Sequence, residues 1–378
     1  MIISLIRFAL IAPAGDAGTE PTPPIGLAYI AGMCKDADLD VEVNGIDAAG
    51  RSLNKIFKIP KYNLRGNGLE VSEIIQLINP KTKIIGISSM FSHEWPYVRD
   101  CIELVKKSFP NAKIIVGGEH VTALPEYCLR DCNAVDYISL GEGEETWLEI
   151  IKKKGNDIDN IAGLAYLKDG EFIKTDPRKR IQHIDKIPWP DWSAFPIEPY
   201  LDNAVSFGPG SGRNMPILAS RGCPYECTFC SNPLMFGRRY FVREINDLIR
   251  QIKYYIEKYK ITGLQFYDLT AIVKKKWVIE FCKALKENNI NLEWSLPSGT
   301  RSEALDLEVI QALASVNLKY LVYAPESGSV KTLELIKKKI KIPAVETSIK
   351  YAVSQGIVVR TNLIIGFPGE TRLQLYRT

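Results

Sequence analysis

A chain of 378 residues is longer than one ordinary domain and has room for two cores. Its 46% apolar and 24% charged residues exclude a chain disordered throughout. The 48 Lys+Arg against 44 Asp+Glu leave only +4, scattered along the sequence, so charge gives no reason to expect nucleic acid as a partner.

The stretch 2–14 has no basic residue before its apolar part and is interrupted by Arg7, so it reads as a buried strand rather than a signal peptide. No apolar run approaches the roughly eighteen residues of a membrane helix. Eight cysteines, three of them at 223, 227 and 230, do not form the pattern of a secreted disulfide framework and point to a reducing cytoplasm.

From residue 2 to about 154, apolar runs at 7–12, 40–46, 83–88, 113–116 and 134–139 alternate with amphipathic stretches at 26–35, 69–78, 95–109, 124–130 and 144–154. This is the rhythm of parallel βαβ units and predicts an α/β fold, a Rossmann-like doubly wound parallel sheet over 1–155. Ligands in such a sheet bind at the carboxyl ends of the strands. The loops there are 13–24, 88–92, 117–120 and 141–144, rich in glycine and small residues.

Residues 160–175 read as a hairpin about Asp169-Gly170. The Pro/Trp segment 187–192 and the Gly/Pro/Ser segment 207–213 mark 156–215 as hairpin and linker. A second alternation follows, with strands expected at 217–220, 263–267, 292–295, 318–323 and 357–365. Helices are expected at 242–258, 273–288, 307–313, 330–338 and 344–354, which makes 216–378 a partial (βα) barrel. The basic run Lys337-Lys338-Lys339 reads as a solvated helix end.

Directly after the first strand of this unit, Cys223, Cys227 and Cys230 stand at spacings of four and three in a loop opened by Gly222-Cys223-Pro224. Thiolates prefer iron–sulfur clusters and zinc. Three ligands in one tight loop suit a cubane with one open iron, whereas zinc would need a fourth ligand at matching spacing. Core thiols are the remaining alternative. Cys128 and Cys132 repeat the first spacing but lie on an expected helix and read as core.

The Cys-x-x-x-Cys-x-aromatic-Cys pattern resembles the signature of the radical S-adenosylmethionine (SAM) superfamily. Four further segments resemble that family in the expected order: Phe266-Tyr267-Asp268, Arg301 past the third strand, Glu326-Ser327-Gly328-Ser329, and Gly366-Phe367-Pro368-Gly369-Glu370. Leu269 stands where the family often has a second Asp. The resemblance implies a [4Fe-4S] cluster on Cys223, Cys227 and Cys230. It also implies SAM bound at the open iron near Asp268, Arg301, Glu326 and Ser327, and cleavage of SAM to a 5′-deoxyadenosyl radical.

An open α/β unit before such a core resembles the cobalamin-binding domain of cobalamin-dependent radical SAM proteins. Residues 24–31, Ser88 and Ser89, Gly117 and Gly118 with His120, and Gly141 and Glu142 carry this likeness and are the implied cobalamin contacts. No Asp-x-His-x-x-Gly sequence is present, so no histidine of that motif is expected on cobalt; His93 and His120 lie in the ligand loops.

The implied activity is methylation of an unactivated carbon of a small molecule, fed by an electron donor such as flavodoxin or ferredoxin. The alternatives are cyclisation or ring rearrangement, or a truncated corrinoid- or cluster-binding protein without catalysis. Only 371–378 follow Glu370, so the core is expected to be truncated at its C-terminus. Methylthio transfer to RNA is disfavoured, because the first domain lacks the three cluster cysteines and no basic tail is visible.

Overall fold

The computed structural model describes residues 1–15, 20–210, 212–301 and 304–378; parts of the expected loops 13–24 and 207–213 therefore lie outside the described residues. Contacts divide the chain into two units. The first comprises Met1–Gln182, Lys186–Tyr200 and Leu234–Phe236, and the second His183–Asp185, Leu201–Pro233 and Gly237–Thr378.

The strands of the first unit are β1 (Ile2–Arg7), β2 (Leu10–Pro13), β3 (Glu42–Asp47), β4 (Ile56–Ile59), β5 (Leu64–Asn67), β6 (Ile84–Ser88), β7 (Lys113–Gly117), β8 (Tyr137–Ser139), β9 (Leu164–Lys168) and β10 (Glu171–Lys174). β3, β1, β6, β7 and β8 run parallel in that spatial order, and β9 and β10 extend the sheet antiparallel. Ile3, Leu5 and Ile6 of β1 and Ile84, Ile85 and Ile87 of β6 are buried, as the central strands of a sheet covered on both faces require. The connection from β1 leads outward to β3 and the sheet then resumes at β6, so the carboxyl ends of β1 and β6 flank a topological switch point.

Three expectations are corrected here. The single strand at 7–12 is two strands: β1 ends at Arg7, and β2 joins β5 and β4 in a separate antiparallel sheet that the sequence pattern did not disclose. The hairpin assigned to the linker is β9 and β10, and β9 covers the edge that β8 would otherwise expose. The segment 187–200 is likewise a strap on the first unit. Trp192, Phe195, Ile197 and Tyr200 are buried, and Tyr200 donates to Asp47 Oδ2 at 2.7 Å. The boundary therefore falls later than residue 155.

The second unit has β11 (Asn214–Ile217), β12 (Ser220–Arg221), β13 (Phe241–Val242), β14 (Gly263–Phe266), β15 (Glu293–Thr300), β16 (Leu318–Glu326) and β17 (Val358–Leu363). β11, β14, β15, β16 and β17 are parallel neighbours in chain order, the succession of a (βα) barrel left open after five strands. Helices Ile245–Tyr259, Lys275–Glu287, Leu307–Ala314 and Ile342–Ser354 make the crossovers. The first of these buries Leu248, Ile249, Ile252, Tyr255 and Tyr259, one face at helical spacing. The expected strand at 217–220 begins earlier, at Asn214, and stops before the loop that carries the cysteines. Among the described residues no helix is long and apolar enough to cross a membrane.

Candidate functional site

β12 and β13 pair antiparallel, Ser220 opposite Val242 and Arg221 opposite Phe241, and so close the neck of the loop that holds the three cysteines. Gly222 turns into the loop at φ +85°, a left-handed conformation that glycine adopts without a Cβ clash. Asn232, 1% exposed, braces the loop by donating to the carbonyls of Cys223 at 3.4 Å and Gly237 at 3.2 Å.

Cys223 and Cys227 are half-buried and Cys230 is exposed, whereas Cys34, Cys101, Cys128, Cys132 and Cys282 are buried. Burial pushes the thiols of Cys34, Cys101, Cys128 and Cys282 up to about 12, which makes them inert core groups. Burial also raises Cys223, so its ligation needs a cation that favours the thiolate. Among the described residues no three His, Cys, Asp or Glu side chains are gathered to hold a single metal ion. A cubane takes one thiolate per iron, so three half-buried or exposed thiols in one loop, two of them flanking the turn that Cys230 N–H closes on the Cys227 carbonyl, fit its donor set.

The loop is docked on the motifs that follow later strands. Thr228 N–H donates to the Ile336 carbonyl at 3.0 Å, and the Phe229 ring lies 5.8 Å from that of Phe367. The Arg301 guanidinium stacks 3.5 Å from the centre of the Tyr225 ring and donates to the Lys339 carbonyl at 2.6 Å. Tyr225 and Arg301 also line a cavity of about 160 Å³ with Ile272, Val273, Lys275, Ala304 and Asp306.

Glu326 ends β16 at φ +67°, a conformation that costs a non-glycine residue roughly 1–2 kcal/mol and persists only where the surroundings fix it. Its carbonyl accepts from Ile364 N at 2.9 Å, and its buried carboxylate accepts from the buried Lys338 ammonium at 3.0 Å. Lys338 is thus no solvated helix end, a correction to the reading of the basic run. Ser327 Oγ accepts from Ser329 N at 3.1 Å and Ser329 caps the next helix, so this turn is locked by its own side chains. Glu370 accepts from Gly366 N at 2.8 Å and Thr332 Oγ1 at 3.2 Å, joining the turn after β17 to the helix after β16. Asp268 faces inward, 1% exposed, and accepts from the backbone at the neck of the cysteine loop.

In the first unit, Ser88, Ser89, Gly117, Gly118, Gly141 and Glu142 gather at the carboxyl edge of β6, β7 and β8 as expected. Gly118 has φ +115°, and a Cβ there would lie 2.8 Å from the Ser89 carbonyl carbon. Beside Gly117, by contrast, a Cβ would meet nothing closer than 3.8 Å. Ser89 Oγ and Ser139 Oγ are buried without a hydrogen-bond partner among the described residues. Buried polar atoms of this kind are costly unless something satisfies them. Two orphan hydroxyls beside glycines at a switch-point edge fit the polar tail of a large cofactor such as cobalamin. Ser139 was missed from the sequence, although it directly precedes the 141–144 loop.

Two of the expected contact residues have partners within the chain. His120 is 5% exposed, with Nδ1 2.9 Å from Ser92 Oγ, Nε2 3.4 Å from Cys128 Sγ, and its ring 5.3 Å from Trp95. Both ring nitrogens have partners inside the protein, and His120 braces the Ser92 loop. Glu142 is 8% exposed and binds the Arg180 guanidinium at 2.7 Å, so its carboxylate is committed to the chain itself. His93 is exposed and stacks on Phe91 at 5.8 Å.

A nucleotide-type sheet edge in one unit and a three-thiol loop at the mouth of an open (βα) unit define the class, and the comparisons agree. Residues 15–151 match the family model of the B12 binding domain, and residues 217–378 match that of the Radical SAM superfamily. The chain belongs to the family of cobalamin-binding radical SAM methyltransferases, enzymes whose cofactors are a [4Fe-4S] cluster, SAM and cobalamin. It is 30% identical to an uncharacterized methyltransferase of Pyrococcus horikoshii over 100% of this chain and 77% of that protein. It is 28% identical to the cytidylyl-2-hydroxyethylphosphonate methyltransferase of Streptomyces wedmorensis, over 92% and 69%. Against the anaerobic magnesium-protoporphyrin IX monomethyl ester cyclase of Rubrivivax gelatinosus, identity is 24% over 94% and 61%.

The fold is shared with two solved structures. One is the radical SAM methyltransferase TsrM of Kitasatospora setae (TM-score 0.72, 16% identity, 99% of this chain and 69% of that one). The other is the cobalamin-dependent radical SAM enzyme OxsB (TM-score 0.77, 16% identity, 100% and 51%).

Proposed function

We propose that this enzyme methylates an unactivated carbon of a small molecule, with Cys223, Cys227 and Cys230 as the ligands of its cluster. The observation that carries the reading is the docking of the cysteine loop, through Thr228 on Ile336 and Phe229 on Phe367, against the turns that follow β16 and β17. Bound together, the three cofactors supply an electron, a 5′-deoxyadenosyl radical and a transferable methyl group.

The chain's own residues divide the work. Arg301, Glu326 and Ser327 form the edge for SAM, and Asp268 holds the neck of the loop. Ser88, Ser89, Gly117, Gly118 and Gly141 form the edge for cobalamin, with His120 and Glu142 positioning it from behind. A flavodoxin or ferredoxin delivers the electron in a reducing cytoplasm, a setting consistent with eight free cysteines. Cyclisation is the second reading, favoured by the similarity to the magnesium-protoporphyrin cyclase.

The test is anaerobic reconstitution with iron, sulfide and hydroxocobalamin, followed by iron and cobalt quantification and an assay for 5′-deoxyadenosine. About four irons, absent in the Cys223→Ala, Cys227→Ala, Cys230→Ala variant, and about one cobalt are expected. Iron without cobalt would reduce the first unit to a scaffold. Protein that binds no iron and forms no deoxyadenosine would refute the assignment.

A further inference from the structure

Between residues 330 and 341 the surface carries four exposed lysines, Lys331, Lys337, Lys339 and Lys341, against one exposed carboxylate, Glu334. Among the described residues the ion pair of this stretch is the buried one, Lys338 with Glu326 at 3.0 Å, and the four exposed ammonium groups have none. Other lysines of the same unit are paired: Lys275 with Asp306 at 2.5 Å and Glu308 at 2.6 Å, Lys276 with Glu280 at 3.8 Å, and Lys283 with Glu287 at 3.5 Å.

The unpaired stretch is fixed against the cysteine loop. The Ile336 carbonyl accepts from Thr228 N–H at 3.0 Å, and Lys338 is held by Glu326. The Lys339 carbonyl accepts from Arg301, whose guanidinium stacks on Tyr225 of the loop. These anchors at 336, 338 and 339 leave the Lys337 and Lys339 side chains in solvent beside the loop. Glu226, the acid of the loop itself, is neutralised by Arg238 at 2.5 Å. Leu335 is 51% exposed and, four residues after Lys331, shares its helix face.

Unpaired cations held in place sum to a positive potential, and such a field steers an acidic partner to the face that carries it. The loop they flank is the one that must receive an electron. An apolar centre in a cationic rim complements a flavodoxin, whose flavin edge is apolar and ringed by carboxylates.

We infer that Lys337 and Lys339, with Lys331 and Leu335 beside them, form the docking surface for an acidic flavodoxin that reduces the cluster. The inference rests on the proposed assignment of Cys223, Cys227 and Cys230 as the cluster's ligands. In the step the anionic flavin hydroquinone loses one electron and becomes the neutral semiquinone, the cluster gains that electron, and no bond forms or breaks.

The experiment titrates oxidised flavodoxin into the cluster-loaded protein in a calorimeter, so that binding is read without electron transfer. Lys337→Glu with Lys339→Glu is expected to raise Kd at least about tenfold, and the wild-type Kd should climb between about 0.05 and 0.5 M salt as screening shortens. Lys276→Glu with Lys283→Glu reverses the same charge on the helix Lys275–Glu287 and should change Kd less than about twofold. Deoxyadenosine formation driven by dithionite should be unchanged in the Lys337/Lys339 variant, while formation driven by flavodoxin falls. Equal Kd shifts in the two double variants, or a wild-type Kd indifferent to salt, would overturn the proposal.

Lys337→Gln with Lys339→Gln is the second variant, which removes the charge without setting new carboxylates beside Glu334, and a loss of about threefold is expected from it. Iron lost from this variant would assign the two side chains to the fold of the loop and overturn the proposal. Ferredoxin held more tightly than flavodoxin through the same lysines would overturn it too. Wild-type protein that assembles no cluster, by contrast, overturns the reading underneath.

Discussion

Ser220 Oγ donates to the Asp268 carboxylate, and both oxygens of that carboxylate lie 3.1 Å from the amide of Ala219. An acid just past β14 therefore clamps the two residues that lead into the cysteine loop. Burial outweighs these hydrogen bonds and lifts the Asp268 carboxyl from 3.8 to about 6.

An acid whose pKa is raised on folding holds its proton more tightly in the folded state. The resulting stabilisation is complete below about pH 4 and is lost as the pH rises through about 6. Asp268→Asn cannot ionise and is expected to remove that slope. The stability of the wild type relative to the variant should fall by about 3 kcal/mol between those limits, on the order of 1.4 kcal/mol per unit. Urea melts of both proteins across this range measure it, and a difference that stays flat with pH would refute the account.

Gly118 and Gly170 both have positive φ, +115° and +84°, but only at Gly118 would a Cβ strike backbone, that of Ser89. Gly170→Ala should cost about 1 kcal/mol for its conformation alone. Gly118→Ala should cost roughly 2–4 kcal/mol, because the β6 and β7 termini must also separate. Thermal unfolding of the two variants tests the contrast, and equal losses would show that the Ser89 contact is not the cause.

The parts of this fold that local pattern can encode were legible. β6 and β7 are aliphatic runs buried on both faces, and the cysteine loop, the turn at Glu326 and the turn at Gly366 are written in short contiguous segments. The parts decided by pairing partners were not. β4 and β5 are four residues each and become a sheet only because β2 leaves the main sheet after Arg7. Lys338 looks like its exposed neighbours until β16 brings Glu326 beside it, twelve residues away in sequence. His120 stands in a ligand loop by sequence, yet Ser92 and Cys128 turn both its nitrogens inward.

Burial holds the His120 pKa below its ordinary 6.5. For a base depressed on folding, the neutral form is favoured, so the stabilisation is full above about pH 6.5 and is lost as the pH falls through the depressed value. His120→Gln removes the titrating group. The wild type is expected to lose stability against this variant only on the acid side, in denaturant melts at paired pH values. A gap between the two that does not change below about pH 6.5 would contradict the buried position of the ring.

Ser89 and Ser139 offer the sharpest separation of folding from binding. Their hydroxyls are buried and unsatisfied by the protein, so Ser89→Ala with Ser139→Ala removes two desolvated polar atoms and breaks no hydrogen bond of the chain. The cofactor-free variant should be as stable as the wild type or more so, by up to about 1 kcal/mol per hydroxyl. If those hydroxyls meet the polar tail of cobalamin, the same variant should bind hydroxocobalamin about five- to a hundredfold more weakly in an optical titration, at roughly 0.5–1.5 kcal/mol per lost bond. Both results together place the cofactor at this edge. A variant that is destabilised without cofactor would mean that the hydroxyls serve the fold, and unchanged cobalamin affinity would move the binding edge elsewhere on the first unit.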